Sequence, residues 1–97
     1  MAYEIRFASS AKRHLQEFPV GERAVIVAAV ETQLSHKPLV QTRNRKRLRP
    51  NPIAPWELRV RSIRVFYEVD QPGVVTVLAI GAKRGNRLYI AGEEMEL

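Results

Sequence analysis

Two neighbouring segments alternate strictly between apolar and polar side chains, and this limits the chain to folds built around an antiparallel hairpin. Residues 56–60 and residues 63–69 each place apolar side chains at every second position. A two-residue period predicts a strand with one buried face. Only Arg61 and Ser62 separate the segments, so they are predicted to pair as a hairpin in which Arg59 lies opposite Arg64.

The predicted hairpin has two chemically different faces. The core face carries Trp56, Leu58, Val60, Ile63, Val65 and Tyr67. The other face carries Glu57, Arg59, Arg64, Phe66 and Glu68. Like charges directly opposite one another in a sheet are unfavourable by up to about 1 kcal/mol. Arg59 beside Arg64 therefore indicates either a site held for an anion or a solvated face on which Glu57 and Glu68 balance the arginines.

The N-terminal third predicts one strand followed by two helices. Residues 3–7 alternate as a half-buried strand. A short helix capped by Ser9 or Ser10 is predicted next, and it ends at Pro19. Its buried face is predicted to carry Ala11, Leu15 and Phe18. A second helix is predicted over residues 22–36, with buried Ile26, Val27, Val30 and Leu34.

The C-terminal part of the chain predicts more sheet. Residues 74–80 are apolar on both faces, which is typical of a central strand. A type II turn is predicted at residues 70–73, so that Val69 pairs with Val74 and Arg64 with Ala79. Continued alternation brings Lys83 to the side of Arg59 and Arg64. Residues 81–86 are predicted as a flexible basic loop and residues 87–90 as a last short strand.

The charge of the chain points to a phosphate-rich partner. Sixteen Lys and Arg against ten Asp and Glu give a formal net charge of +6. Such a surface attracts polyanions. Residues 39–55 are predicted as a proline-punctuated loop with a short edge strand near residues 46–49. The candidate RNA-binding residues are Arg43, Arg45, Lys46, Arg47 and Arg49 of this loop, with Arg61 and Arg84.

Several kinds of protein are disfavoured by composition. The chain has no cysteine, which excludes disulfides and thiolate metal sites, and its two isolated histidines make a weak metal site. The longest apolar run is too short to span a bilayer, and the N-terminus lacks an apolar signal core. The expectation is a single cytoplasmic domain over residues 1–97, with no metal, no cofactor and no membrane partner.

Two stretches carry a family resemblance. Residues 56–69, Trp-Glu-Leu-Arg-Val-Arg-Ser-Ile-Arg-Val-Phe-Tyr-Glu-Val, and residues 74–81, Val-Val-Thr-Val-Leu-Ala-Ile-Gly, resemble the RelE/ParE superfamily of toxins from bacterial toxin–antitoxin systems. The opening Tyr-Glu-Ile-Arg-Phe, the predicted helix pair and Pro38 also fit, so the resemblance covers nearly the whole chain. It implies an α+β fold, in which a small twisted antiparallel sheet of about four to five strands carries two N-terminal helices on one face.

The resemblance also implies an activity and a site. RelE-like members cut mRNA on the ribosome without a metal, through attack of a ribose 2′-OH on the adjacent phosphate. Carried over by position, Arg59, Arg64 and Lys83 match basic residues of that site, and Tyr89 matches its tyrosine. Glu57 departs from the pattern, because a lysine stands there in the ribosome-dependent nuclease. Cations favour a phenolate at Tyr89, and the carboxylate of Glu57 is a rival general base.

Other interpretations of the same residues stay open. ParE-like members of the superfamily inhibit DNA gyrase by binding alone, and a third possibility is a non-catalytic basic nucleic-acid-binding relative. Tyr89 can also be a packing residue of the last strand. A cognate antitoxin is the expected protein partner, beside the ribosome and mRNA. Phe66, Val75 and Val77 are predicted to form an exposed apolar strip on the open sheet face, where the antitoxin would bind.

Overall fold

The computed structural model describes residues 2–70 and 73–97, and this part of the chain forms two helices and one seven-stranded sheet. The elements in chain order are β1 (Glu4–Phe7), α1 (Ser9–Gln16), α2 (Val20–Leu34), β2 (Arg45–Arg47), β3 (Trp56–Val60), β4 (Ile63–Asp70), β5 (Val74–Arg84), β6 (Arg87–Ile90) and β7 (Glu93–Met95). The predicted α+β class is confirmed. The sheet has more strands than the four to five that the resemblance implies, and β7 at the acidic C-terminus has no counterpart among the predicted strands. The predicted turn at residues 70–73 includes residues outside the described part.

The sheet runs in the order β2-β3-β4-β5-β6-β7, and β1 also pairs with β5. The β1–β5 pair is parallel and the others are antiparallel. The outer edge of β2 is covered by its own loop, because the Thr42 amide donates to the Arg45 carbonyl and the Gln41 side chain accepts from the Arg47 amide. An edge strand capped in this way is closed to pairing with another chain.

The predicted hairpin is confirmed residue for residue. Val60 pairs with Ile63, Arg59 with Arg64, and the pairing continues to the far end of β3. Arg61 makes the tight turn with a positive φ of 59°. The predicted core face is buried throughout, and Trp56 stacks on Tyr67 with ring centroids 6.1 Å apart.

The core under the helices combines the hairpin with β5 and α2. Ile26, Val30 and Leu34 of α2 are fully buried there, at the spacing of one helical face. The Tyr67 hydroxyl donates to the Pro38 carbonyl at 2.6 Å, so the chain leaving α2 is fastened to the core. Burial raises the pKa of Tyr67, with nearby Arg45 opposing the shift. The hydroxyl is therefore held as a donor.

A second apolar cluster lies on the other face of the sheet. It consists of Ala54, Phe66, Ala79, Leu88 and Ile90, with Leu48, Ile53, Leu78 and Met95 packed against it. The loop before β3 and the strands β6 and β7 thus cover much of the face predicted to be open. Gly81 makes this possible, because a Cβ there would lie 2.5 Å from the Tyr89 carbonyl oxygen.

The predicted exposed strip is wrong. Phe66, Val75 and Val77 are all fully buried, Phe66 in the second cluster and the two valines in the core under the helices. The cause for the valines is the register of β4 with β5, because Val69 pairs with Val75 and not, as predicted, with Val74. A shift of one residue moves a strand's side chains to the opposite face. These three residues therefore offer no surface to a partner.

Helix α1 forms hydrogen bonds with one edge of β5, at positions where no neighbouring strand pairs with that edge in the described part of the chain. In the described part of the chain, β1 pairs with β5 as far as Val77 and β6 pairs with β5 only from Ala82 onwards, which leaves the edge of β5 between these positions without a partner strand. Two side chains of α1 bind that edge: the Ser10 hydroxyl donates to the Leu78 carbonyl at 2.7 Å, and the Ile80 amide donates to Nδ1 of His14 at 3.2 Å. The predicted serine cap is wrong, because Ala8 is the N-cap and has no side-chain cap bond.

The bond to His14 makes stability depend on pH. Burial lowers the pKa of His14 below 6.5, with Glu17 raising it and Arg13 lowering it further. The neutral ring is favoured in the folded state, so this stability is present above pH 6.5 and is lost as the pH falls below it. A single group contributes at most about 1.4 kcal/mol per pH unit. We expect His14→Ala to flatten the fall in unfolding free energy between about pH 6.5 and 5, measured by denaturant titration.

The control for that measurement is the exposed His36. His36→Ala is the matched variant, because it removes the other imidazole of the chain from an exposed position beyond α2. Equal profiles for the wild type and His14→Ala would contradict the linkage.

No helix in the described part of the chain has the length and apolar character needed to cross a membrane.

Candidate functional site

The side chains on the face away from the helices form a row of cations around one carboxylate. Arg59 lies directly opposite Arg64 on neighbouring strands, and Arg64 lies opposite Gly81. Lys83 is two residues beyond Gly81 on the same side. Lys46 of β2 is paired with Glu57 of β3, so it joins this face as well. The predicted meeting of Arg59, Arg64, Lys83 and Glu57 on one face is therefore present in the structure.

Glu57 lies between the two arginines. Its carboxylate oxygens are 3.5 Å from Nε of Arg59 and 3.6 Å from Nε of Arg64. Only 6% of the Glu57 side chain is exposed, against 41% for Arg59 and 13% for Arg64. One negative charge for two positive charges leaves an excess of one cation at the centre of the face, so the carboxylate balances the arginines only in part.

Arg64 is held in a fixed position by the turn of the hairpin. Its Nη1 donates to the carbonyls of Arg61 at 2.8 Å and Ile63 at 3.1 Å. Its Nε is buried and forms no hydrogen bond in the described part of the chain. Burial lowers the pKa of Arg64, Glu57 raises it, and Arg59 lowers it. A preorganised guanidinium of this kind stabilises negative charge without having to reorient.

A cavity of about 540 Å³ lies over this face, and we call it the basic groove. Its cationic lining residues are Lys46, Arg49, Arg59, Lys83 and Arg87. The C-terminal segment forms one wall through Glu94, Glu96 and Leu97. Arg87 pairs with Glu94 at 3.5 Å. The groove is thus a cationic channel with an acidic strand along one side, and the acidic composition of residues 93–96 is the only sequence signal for that wall.

Tyr89 is not part of this groove. It pairs with Ala82, which pairs with Ile63, and directly paired residues point to the same face of a sheet. Ile63 belongs to the core under the helices, so Tyr89 projects to the helix side. Its neighbours Leu88 and Ile90 pack in the cluster on the other side. Alternation along β6 therefore points Tyr89 away from Arg59 and Arg64, with which the family resemblance groups it in one site.

Alternation along β2 places the basic side chains of this strand on two different faces of the sheet. Lys46 points to the groove, whereas Arg45 and Arg47 pair with Leu58 and Trp56 of the core face. Nη1 of Arg45 donates to the backbone carbonyl of Gln33 at 2.7 Å, and its Nε donates to the Val40 carbonyl at 3.0 Å. Its guanidinium thus fastens the loop to α2, a role that the sequence does not reveal.

The remaining candidate RNA-binding residues are spread over the surface. The guanidinium of Arg47 lies 6.0 Å from the centroid of the Trp56 ring. Arg43, Arg49, Arg61 and Arg84 are exposed. Of these four, only Arg49 lines the basic groove. The described residues contain no group of three or more His, Asp or Glu side chains placed to hold a metal ion.

Comparisons with known proteins give a match among solved structures. No family model and no curated protein matches the chain. Among solved structures, a chain of the toxin–antitoxin complex RelBE2 from Mycobacterium tuberculosis matches with a TM-score of 0.74 and 27% sequence identity. The match covers 86% of this chain and 93% of the other.

Proposed function

We propose that this chain, which is similar in structure to a chain of a RelBE2 toxin–antitoxin complex, is a RelE-like toxin of the RelE/ParE superfamily and inhibits translation by cutting mRNA on the ribosome. The observation that carries the proposal is the basic groove, together with Arg64, which is fixed between the groove residue Glu57 and the hairpin turn on the same face of the sheet. The coarser part, a toxin with a cognate antitoxin, is supported by the structural match to a chain of a toxin–antitoxin complex.

The proposed reaction needs charge stabilisation and one proton acceptor. The 2′-oxygen of a ribose forms a bond to the adjacent phosphorus, and its proton passes to a base. The bond from phosphorus to the 5′-oxygen breaks, and the leaving 5′-oxygen takes a proton from water. Negative charge gathers on the phosphate oxygens, where Arg59, Arg64 and Lys83 are placed to stabilise it. This chemistry requires no metal.

The proton acceptor in the proposal is Glu57. Its carboxylate lies on the groove side of the sheet among the cations, whereas the Tyr89 hydroxyl lies on the helix side. A general base must come within hydrogen-bond reach of the proton that it removes, directly or through one water. Glu57 meets that requirement for a phosphate held at Arg59 and Arg64, and Tyr89 does not.

We propose that the antitoxin covers the same groove. The fully buried Phe66, Val75 and Val77 cannot anchor it, whereas the groove offers cations to a negatively charged partner. An acidic segment that supplies carboxylates to Arg59 and Lys46 would compete directly with RNA phosphates for the same side chains.

Two assays performed together test the proposal. Primer extension on a reporter mRNA after induction of the toxin should show new 5′ ends within the translated region. A gyrase supercoiling assay with the purified protein should show no inhibition. Gyrase inhibition without mRNA cleavage would replace the nuclease by a ParE-like binder.

The placement of the basic loop predicts which cations contact RNA. Each phosphate contact contributes about 0.7 to 0.9 to the log–log slope of affinity against salt concentration. Lys46 and Arg49 line the groove, so we expect Lys46→Ala with Arg49→Ala to make the slope shallower by about 1.4 to 1.8, measured on ribosomes or rRNA.

The matched control removes the same charge from the other side of the molecule. Lys12 and Arg13 are exposed on α1, away from the groove, and their replacement by alanine should leave the slope near that of the wild type. Equal slopes for all three proteins would mean that the groove cations make no phosphate contacts.

A further inference from the structure

A second cavity, of about 490 Å³, lies on the helix side of the sheet, where the connection between α1 and α2 leaves the last strands uncovered. We call it the helix-side cleft. Its volume falls in the range of small-ligand sites. The side chains with functional groups in its lining include His14, Glu17, Glu22, Lys83, Arg84 and Tyr89. The chemistry proposed for the groove uses none of them except Lys83.

His14 enters the cleft as a hydrogen-bond donor. The Ile80 amide donates to its Nδ1, so the neutral ring carries its proton on Nε2. Burial keeps the pKa of His14 low, which favours this neutral form. Nδ1 of His14 is occupied by the Ile80 amide and Nε2 already carries the proton, so the neutral ring has no nitrogen free to act as a base. We therefore interpret the cleft as a binding site rather than a catalytic site.

Tyr89 supplies a flat aromatic surface in the same cleft. The guanidinium carbon of Arg84 lies 5.7 Å from the centroid of the Tyr89 ring. An aromatic ring beside a cation is the combination on which the bases of single-stranded RNA stack. The adjacent carboxylates of Glu17 and Glu22 accept hydrogen bonds from base amino groups. The four ion pairs of the described residues involve other carboxylates, so these two are available to a ligand.

Lys83 connects the cleft to the basic groove, because it lines both cavities at the end of β5. A polynucleotide whose phosphate lies at Arg59 can continue past Lys83 to the other side of the sheet. We propose that the helix-side cleft is a subsite for a base of the same RNA strand, stacked on Tyr89 with its amino groups at Glu17 and Glu22. This inference rests on the proposed RNA-binding role of the groove, and it gives Tyr89 a positioning role in place of proton transfer.

The test compares two substitutions of Tyr89 in binding and in cleavage. Tyr89→Phe keeps the ring, so its affinity for a short single-stranded oligoribonucleotide and its cleavage rate should stay near wild type. Tyr89→Leu removes the ring, and stacking worth about 1–3 kcal/mol per base corresponds to a loss of about 5- to 150-fold in affinity. Fluorescence anisotropy measures the affinity, and primer extension measures the cleavage.

Two further measurements keep the test independent of folding. Oligoribonucleotides carrying a single abasic nucleotide, scanned along the strand, should bind the wild type less tightly at one position. The exposed Glu22 can be changed without disturbing the core, and Glu22→Gln should alter the preference for the base at that position.

Opposite results would overturn the inference. A loss of cleavage of about 10²-fold or more in Tyr89→Phe, with unchanged affinity, would return the hydroxyl to catalysis. Equal binding of every abasic oligonucleotide, or no binding of the intact one by the wild type, would remove the subsite. A base-dependent affinity in a protein that cuts no mRNA would sustain the subsite and reject the nuclease.

Discussion

Arg64→Ala is expected to lower the rate of mRNA cleavage by about 10²- to 10³-fold, the usual cost of removing one preorganised donor from a developing anion. The guanidinium of Arg64 is held in place by hydrogen bonds to the carbonyls of Arg61 and Ile63. Another cation that took over its role would lack these bonds and would have to reorient during the reaction. Arginine acts here by charge and remains protonated at the pH of any assay. The defect should therefore be nearly constant with pH, and a rate profile on programmed ribosomes from pH 6 to 9 measures it.

Two controls separate the site from general effects of charge and fold. Arg6→Ala removes one positive charge from exposed β1, where Arg6 pairs with Glu4, and should leave cleavage unchanged. Arg64→Lys keeps the charge but loses the fork of donors to the turn, so its rate should fall between those of wild type and Arg64→Ala. A fully active, folded Arg64→Ala protein would show that the scissile phosphate does not lie at this arginine.

Glu57→Gln is expected to separate binding from chemistry. Without the carboxylate, the groove gains one unit of positive charge, so the affinity for ribosomes should stay the same or rise. Removal of a general base typically lowers the rate by about 10²- to 10⁴-fold. A single-turnover cleavage assay beside a binding titration should therefore show tight binding with slow cleavage.

Glu68→Gln is the matched comparison for Glu57→Gln. Glu68 lies on the same face of the sheet, yet it borders a different cavity, formed by residues 47–51 and 53–55 with Leu78. Its loss should change neither binding nor cleavage. If Glu57→Gln cleaves at the wild-type rate, the proposed base is wrong. If Glu57→Gln has a lower melting temperature but cleaves normally, Glu57 has only a structural role, in which its charge offsets the repulsion between Arg59 and Arg64.

The hairpin at the centre of the fold can be derived from the sequence because its constraints are local. A two-residue interval between two alternating segments leaves one register, and that register fixes which side chains share a face. The sequence alone therefore predicts that Arg59, Arg64 and Glu57 lie together. The faces of Trp56 and Tyr67 follow from the same parity.

The next hairpin cannot be derived in the same way, because it contains an irregularity with no sequence signature. Simple alternation pairs Val69 with Val74, whereas in the structure Val69 pairs with Val75. Beyond the extra residue Leu78, the error grows from one position to two. An error of one residue reverses the face, and this misplaces Val75 and Val77. An error of two restores it, so the predicted position of Lys83 beside Arg64 is still correct.

The residues that cover the sheet are harder to predict, since they depend on contacts between distant parts of the chain. Alternation assigns Phe66 to the correct face of the sheet but predicts that it is exposed. In the structure it is covered by the loop before β3 and by β6 and β7. Nothing in the sequence of these segments indicates that they pack over Phe66. Only the family resemblance groups Tyr89 with the arginines. Tyr89 follows Leu88 directly along β6, so its side chain points to the opposite face of the sheet from that of Leu88.

The contact of β1 and α1 with β5 has a consequence for how the protein is made. Residues 4–7 pair with residues 74–77, and Ser10 and His14 bond to Leu78 and Ile80. Contacts across most of the chain's length form slowly, because a long loop must close first. During synthesis the first strand therefore has no partner until most of the chain has emerged. The lining of the groove extends to Leu97, so a nascent fragment that lacks the C-terminal strands also lacks one wall of the groove.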